Sequence, residues 1–469
     1  MATNLVSNAY MQSLLKTVYL NGVYNNKYQN SPILAEIGKE SWEGGKEIKY
    51  AAQYSNGGNF GSNYSALVNA PTDGARNLEW TMQQGYLTGW FDIDQPELLT
   101  SASDRGAYMK ILNNKMAATF DGMSKLLATY LYGGQWGVID QVVGPITLSG
   151  TTHTFPLSSS GAIKLDLGSR FVIATAGAAD SALPSSPLLG SGTVFTVTKI
   201  SDTTITATTA ASVSDTVYNG DYIELFTSRN VSTALGPEGL ADIVPYVGDR
   251  AGNDAVWQSY IGTSFRGIDR SVAEERLAGQ FAVAAASGNF RLTDALTALL
   301  KKTKRAGGLN NIVAINDETF DKIGKELDLQ KNLWQQSNGG ENKNSYTAGY
   351  SKLATAFGEA FIDRTVIDPY CPEDKAYMFE KEDLKFYDLG NVSRVINPVA
   401  NDQLGKHDIE AVGDQGIGDE ISSKLNWDKL FNIEQGVPGT YGPTMRISAN
   451  IYGNYALRKT ASSGVAILK

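Results

Sequence analysis

The chain of 469 residues contains one cysteine, Cys371, and two histidines, His153 and His407. One cysteine forbids an intrachain disulfide, and two histidines leave few ways to build a Ser-His-Asp or Cys-His arrangement. His153 sits among threonines (Thr151-Thr152-His153-Thr154) and His407 in a Gly/Asp-rich loop, and neither is expected to do catalytic work. Cys371, between Tyr370 and Pro372, reads as a small buried apolar residue rather than a nucleophile. Phosphate loops are also missing. Gly38, Gly45, Gly324 and Gly405 each precede a lysine, but Glu or His follows where a P-loop needs Ser or Thr. Gly413, Gly416 and Gly418 have the wrong spacing for a dinucleotide fingerprint. Asp92, Asp94 and Glu97 resemble a hard-cation set, but Pro96 and the absent loop glycine exclude an EF-hand. His407, Asp408, Glu410, Asp414, Asp419 and Glu420 read as an acidic loop. No catalytic, cofactor-binding or metal-ligating residue is therefore assigned, and the chain is expected not to be an enzyme.

A basic surplus is lacking as well. There are 49 acidic against 40 basic residues, a formal charge of -9, which argues against a general polyanion binder. No run of about 18 apolar residues marks a membrane span. Met1 to Val6 have neither the basic start nor the apolar core of a secretory signal, so no membrane partner is expected and assembly in a cytoplasm fits. Nothing repeats with a fixed period, which excludes a solenoid.

What is present is a large apolar fraction, 42%, enough for the cores of two or three sub-domains. Residues 1–45 read as an arm, with a short helix around Tyr10 to Leu20 and an Asn/Tyr-rich stretch after it. From Lys46 the period is two: Ile48, Tyr50 and Ala52 alternate with polar residues, and Leu78, Trp80 and Met82 do the same. The Gly-, Asn- and Ser-rich segment between them is the tip of a long hairpin, 46–95. Such a ribbon is marginal alone, so Ile48, Tyr50, Leu78, Trp80 and Met82 are the expected contacts to a neighbouring copy. In 96–149 the clearest helix follows. Ser103 or Asp104 caps it, Met109, Leu112, Met116, Phe120, Met123, Leu127 and Leu131 line one face, and Gly133-Gly134 stops it. At about 1.5 Å per residue this is a rod of roughly 40 Å.

Residues 150–227 change character: Thr and Ser abound, charge thins, and β-branched alternation dominates, as in Val194 to Thr198 and Thr204 to Thr206. They read as an inserted all-β domain of the small barrel or sandwich kind, its last strand entered by the turn Asn219-Gly220-Asp221. Residues 228–440 are mixed α and β. Thr293 caps a helix ending in Lys301, Lys302, Lys304 and Arg305 before Gly307-Gly308, and these cations complement the helix dipole or face nucleic acid. Ile312 to Ile315 form a buried strand, Asn316 or Asp317 starts a helix with Phe320, Ile323 and Leu327 inward, and Tyr377 to Phe379 and Leu384 to Tyr387 are later strands. Residues 441–469 close the chain with a long strand, Met445, Ile447, Ala449 and Ile451 facing in. The fold class is α+β.

The order of arm, long hairpin, spine helix, inserted β domain, mixed domain and closing strand resembles HK97-fold major capsid proteins of tailed double-stranded DNA bacteriophages. Local motifs are similar too: Asn311 to Phe320, Phe357 to Asp363 with Tyr370 to Phe379, and Ile451 to Ala461 running to Leu468. The resemblance implies an N-arm, an E-loop hairpin, a P-domain with its spine helix, and an A-domain. It also implies a subunit that assembles with itself into homo-pentamers and homo-hexamers of an icosahedral shell. The partners implied are a separate scaffolding protein, because no long segment precedes the arm, a portal, cement or decoration proteins, and weak non-specific contact with packaged DNA. The location implied is the virion shell, assembled in the bacterial host cytoplasm. Arg458-Lys459 departs from the arginine-proline frequent near the last strand. Lys46 and Lys49 lie on the hairpin, but no partner Asn can be chosen, and no isopeptide crosslink is expected. The alternatives are an encapsulin-like nanocompartment shell and a β-rich surface or adhesion protein.

Overall fold

The structure, a computed structural model, describes residues 31–42, 45–56, 62–63, 76–94, 111–159, 161–174, 189, 192–201, 203–226, 229–230, 233–234, 236–244, 264–283, 292–308, 310–335, 356–357, 360–388, 431–435 and 444–468. After a one-turn helix at Ile33–Glu36 come β1 (Gly38–Ser41), β2 (Glu47–Ser55), β3 (Arg76–Gln83), β4 (Gly85–Asp94), α1 (Ile111–Gly133), β5 (Val138–Gln141) and β6 (Ile146–Pro156). Then come β7 (Arg170–Ala174), β8 (Phe195–Ser201), β9 (Thr204–Val217), β10 (Tyr222–Leu225), β11 (Ser264–Phe265), β12 (Ile268–Asp269) and β13 (Gln280–Val283). The last third carries α2 (Leu292–Arg305), β14 (Asn310–Ile315), α3 (Asp317–Gln335), β15 (Ala356–Phe357), β16 (Ala360–Ile367), β17 (Lys375–Glu380), β18 (Leu384–Asp388), β19 (Phe431–Gln435), β20 (Thr444–Leu457) and β21 (Gly464–Ile467). The chain divides into two units, one of Met1–Asn30, Tyr86–Leu127 and Leu389–Tyr452, the other of Ser31–Gly85, Ala128–Asp388 and Gly453–Lys469.

In the first unit β4 packs on α1 at Gly89, where a Cβ would come within 2.9 Å of Thr119 and 3.1 Å of Met123. Lys115 Nζ donates to the Asp92 carbonyl at 2.9 Å. The 23 residues of α1 span about 34 Å. Met123, Leu127 and Leu131 are buried at four-residue steps, as the apolar period requires. The expected caps Ser103 and Asp104, and Met109, lie outside the described residues, as do the side chains of Leu112, Met116 and Phe120. Gly134, at φ +66°, ends the helix in the left-handed conformation that glycine favours. Also in this unit, β19 pairs antiparallel with the first half of β20, Ile433 opposite Ile447, and Tyr86 sets its ring edge-on to Tyr452 at 5.6 Å.

The second unit is built on two larger sheets. The first has the order β13-β21-β17-β14-β16-β15. β14 is a continuous apolar run because it is the inner strand between β17 and β16, with Ile312 to Ile315 at most 1% exposed. Helix α2 lays Leu296, Leu299 and Leu300 on this sheet against Val313, Ile315, Ile362, Met378 and Ala466, and Phe320 and Ile323 of α3 join the same core. Asn316 caps α3, its Oδ1 accepting the Glu318 amide at 2.9 Å. Thr293 does not cap α2. It lies inside the helix, its carbonyl accepting Thr297 Oγ1, while the first amide, Leu292 N, donates to Glu326 of α3 at 3.2 Å. The acidic group that satisfies this helix N-terminus comes from a neighbouring helix. At the other end Gly307 (φ +97°) lets Gly308 N return to the Thr303 carbonyl at 3.0 Å.

The long closing strand is β20, ending at Leu457, and the rest of 441–469 does not continue it. The chain turns at Thr460–Ser462, and β21 enters this sheet parallel to β13 and antiparallel to β17. The second half of β20 instead pairs with β18, which runs parallel to β1.

The other sheet of this unit has the order β5-β10-β7-β8-β9-β6, every pair antiparallel. A bridge between Val142 and Leu157 joins the two outer strands, so the sheet curls into a small barrel. It begins at Val138, ahead of the change in composition at Gly150. Phe155, Phe171 and Phe195 fill it with ring centroids 5.2–5.7 Å apart, and each is fully buried. Gly220 (φ +92°) makes the turn into β10.

Candidate assembly surface

β2 and β3 form a two-stranded ribbon in which Ile48 faces Met82, Tyr50 faces Trp80 and Ala52 faces Leu78. Directly opposed side chains on one face of an antiparallel pair are the unit of its stability. The ribbon does not hold its whole apolar face for a neighbour. Trp80 is 1% exposed and Met82 0% within this chain, while Ile48, Tyr50 and Leu78 are half-buried. The Trp80 ring stacks on Tyr50 at 6.3 Å and meets Phe265 edge-on at 5.8 Å. The partner that covers this part of the ribbon is the short hairpin β11–β12 of the same chain.

The turn of that hairpin is Arg266-Gly267, at φ +50° and +82°. A left-handed arginine costs on the order of 1 kcal/mol, and it is held by bonds that run in several directions. Its carbonyl accepts Thr81 N of β3 at 3.2 Å. Its guanidinium is fully buried, donating to Glu238 at 2.6 Å, to the Tyr50 hydroxyl at 2.9 Å and to the Tyr455 carbonyl of β20. Burial works against its charge, and Glu238 with Tyr50 outweighs that, so its pKa lies above the ordinary arginine value. Asn454 completes the node: its Oδ1 accepts Glu238 N at 2.7 Å, and its Nδ2 donates to the Gln83 carbonyl at 2.9 Å and to Glu238 at 3.1 Å. The foot of the ribbon, the 236–244 segment and β20 are thus tied through one ion pair. Beside it, Asp242 accepts from Gln135 N (2.6 Å) and Gly239 N (3.1 Å). Burial and the nearby Glu238 charge push its carboxyl up to about 7.

Sequence reasoning did not find Arg266, Glu238 or Asn454. An X-Gly pair between a polar-apolar and an apolar-polar dipeptide, Ser264-Phe265 and Ile268-Asp269, is the available signal for the hairpin.

The four cations at the end of α2 separate. Lys302 and Arg305 line a cavity of about 1010 Å³, whose other walls include residues 51–56 of the ribbon, Arg276, Arg458 and Lys459. Lys302 also donates to the Phe281 carbonyl. Lys301 and Lys304 are not part of the lining.

The remaining candidates do not gather. His153 is 5% exposed, packed against Phe155 and Phe195 inside the barrel. Cys371 is buried, and burial pushes its thiol well above the usual range, which leaves it a poor nucleophile. Glu97, the side chain of Asp94, and the group from His407 to Glu420 lie outside the described residues. Among the described residues no three His, Cys, Asp or Glu side chains are placed to share a metal ion, and no helix is long and apolar enough to cross a membrane.

No protein-family model matches the chain, and no curated protein matches it by sequence. Among solved structures it is similar to a chain of the cyanophage A-1(L) capsid asymmetric unit, with a TM-score of 0.50 and 12% identity over 98% of this chain and 99% of that one. It is also similar to a chain from Mycobacterium phage Ogopogo (TM-score 0.42, 10% identity, 97% and 98% covered). A third is a chain from the capsid of the native GTA particle (0.43, 8%, 97% and 96%). At such identities the likeness is one of fold, and the first match extends it along almost the whole of both chains. The fold is that of a phage capsid chain.

Proposed function

We propose that this chain, having the fold of a phage capsid chain, is the major capsid protein of a tailed double-stranded DNA phage and builds an icosahedral shell around packaged DNA. The observation that carries the reading is the end-to-end match to the cyanophage capsid chain, with neither chain leaving a large part unmatched. In this reading the ribbon is the E-loop, α1 is the spine helix, and the sheet carrying α2 and α3 belongs to the A-domain. The barrel is the inserted domain, and it decorates the capsomer. Identical copies close into pentamers and hexamers through heterologous contacts. The exposed part of the ribbon, with Ile48, Tyr50 and Leu78, reaches an adjacent copy, while Trp80 and Met82 fix the ribbon's foot on its own subunit. Side chains here are structural, and no chemistry is assigned. The proposed partners are other copies of the chain, a scaffolding protein, a portal, cement proteins and, weakly, DNA; the proposed location is the virion, with assembly in the host cytoplasm.

Electron microscopy of the purified chain, with and without a co-expressed scaffold, tests this. Closed icosahedral shells with five- and six-fold capsomers are expected. Monomers, fibres, or small shells filled with protein cargo would refute it.

A further inference from the structure

We propose that the cavity beside the outer edge of β2 is a docking groove for an extended acidic segment of a second copy of this chain, which adds to β2 as a third strand. The inference rests on the shell reading and names one contact within it.

Two walls of the groove carry it. One is a strand edge. β2 pairs with β3 on one side, and among the described residues no other strand pairs with it. An antiparallel ladder turns only alternate residues toward the partner strand, so the other backbone N–H and C=O groups of β2 face outward. Residues 51–56 line the cavity, a length of about 20 Å in extended backbone. Tyr54, the extra residue at the register shift between Gln53 and Ser55, turns its carbonyl to the Arg276 guanidinium.

The facing wall is cationic. Arg276, Lys302, Arg305, Arg458 and Lys459 line it, with Glu275 as the one acid among the described lining residues. Some of this charge is already engaged. Arg458 reaches both oxygens of Glu40 at 2.6 and 2.7 Å, and Lys459 lies 4.0 Å from Asp383. Arg305 is exposed and has no ion pair among the described residues.

A strand edge next to guanidinium groups selects the occupant. A phosphodiester backbone offers acceptors alone, whereas a peptide offers alternating donors and acceptors that match the edge, with carboxylates to meet the arginines. The chain itself carries 49 acidic against 40 basic residues, so a basic groove on it is complementary to the surface of its own copies. A groove on one subunit filled by a different surface of the next is a heterologous contact, the kind that closes rings.

Photo-crosslinking tests the groove. Ala51→Cys introduces an accessible thiol on an exposed lining residue, since Cys371 is 1% exposed. The thiol is labelled with a benzophenone maleimide, mixed with an excess of unlabelled chain grown in nitrogen-15, assembled, irradiated, and mapped by mass spectrometry. The expected product joins the label to an Asp- or Glu-rich peptide of the heavy isotope. Crosslinks confined to the labelled chain, crosslinks to nucleic acid or another protein, or no crosslink in closed shells would overturn the groove. A second variant, Arg276→Glu with Arg305→Glu, changes two exposed residues and should melt like the parent. It is expected to assemble at least about tenfold more slowly at low salt, with the difference closing as ionic strength rises. Assembly at the parental rate overturns the proposal. Micrographs of the same samples keep the two readings apart: unmodified chain that never closes shells sinks the capsid function, whereas shells without the crosslink sink the groove alone.

Discussion

The Arg266–Glu238 pair is the sharpest test of how the ribbon is held. Arg266→Met keeps the buried stem but removes the donors to Glu238, Tyr50 and the Tyr455 carbonyl. It leaves Glu238, 17% exposed at its side chain, charged against an apolar group. Breaking such a pair from one side costs about 3–5 kcal/mol. Glu238→Gln keeps a neutral acceptor for Arg266 and gives up the charge assistance, a loss of about 1–2 kcal/mol. In the double variant no unpaired carboxylate remains, so its cost is expected to fall below the sum of the singles by about 1–3 kcal/mol. Urea unfolding of the unassembled chain measures the cycle, and hydrogen exchange at Thr81 N, which donates to Arg266 O, reports whether the ribbon foot opens first. Additive single costs, or an Arg266→Met cost under about 0.5 kcal/mol, would show that the pair does not fasten the ribbon, and the node described above would lose its role.

Other outcomes follow from single residues. Asp242 has a folded pKa of about 7 against 3.8, so the protonated form favours the fold. Its contribution is full below the unfolded value and is lost as pH rises through about 7, at most about 4 kcal/mol in all. Asp242→Asn should flatten the stability profile between pH 4 and pH 7, and a profile like the parent's would contradict the burial argument. Gly134→Ala meets both a φ of +66° and a Cβ placed 2.5 Å from Asp242 Oδ1, and a loss of about 2 kcal/mol or more is expected in denaturant melts. Phe195→Ala removes a ring packed among Phe155, Phe171 and His153, at about 3–5 kcal/mol. Hydrogen exchange should then quicken in β6 to β9 while β14 stays protected; equal loosening of both would mean that the barrel and the α2-bearing sheet unfold together.

The parts of the fold legible in the residues are those whose reason is local. Met123, Leu127 and Leu131 recur at the helical step and are buried in α1, and the two alternating runs of the ribbon pair Tyr50 with Trp80 as their period implies. The run Ile312 to Ile315 becomes an inner strand, and Asn316 caps the helix after it. Where the local residues mislead, the deciding partner lies far away in sequence. Thr293 has the chemistry of a cap, yet Glu326 of another helix takes the α2 amide. The apolar tail at Val465 reads as more of the preceding strand, but its neighbours β13 and β17 lie in a different sheet. Composition puts the β domain's start at Gly150 because Val138 and Ile139 have no Thr or Ser around them, although Val138, Asp140 and Gln141 pair with β10. Alternation marks Trp80 and Met82 as needing a cover but cannot say whether a neighbour or the same chain provides it. That cover is the Arg266 hairpin, and its hold depends on Glu238 and Asn454, polar residues with no periodic mark. The same reasoning bears on assembly: a ribbon whose foot is buried by its own chain needs its neighbour only for the remaining half-buried residues and the open edge of β2. The contact between copies is then expected to be the more polar and the more salt-sensitive of the two.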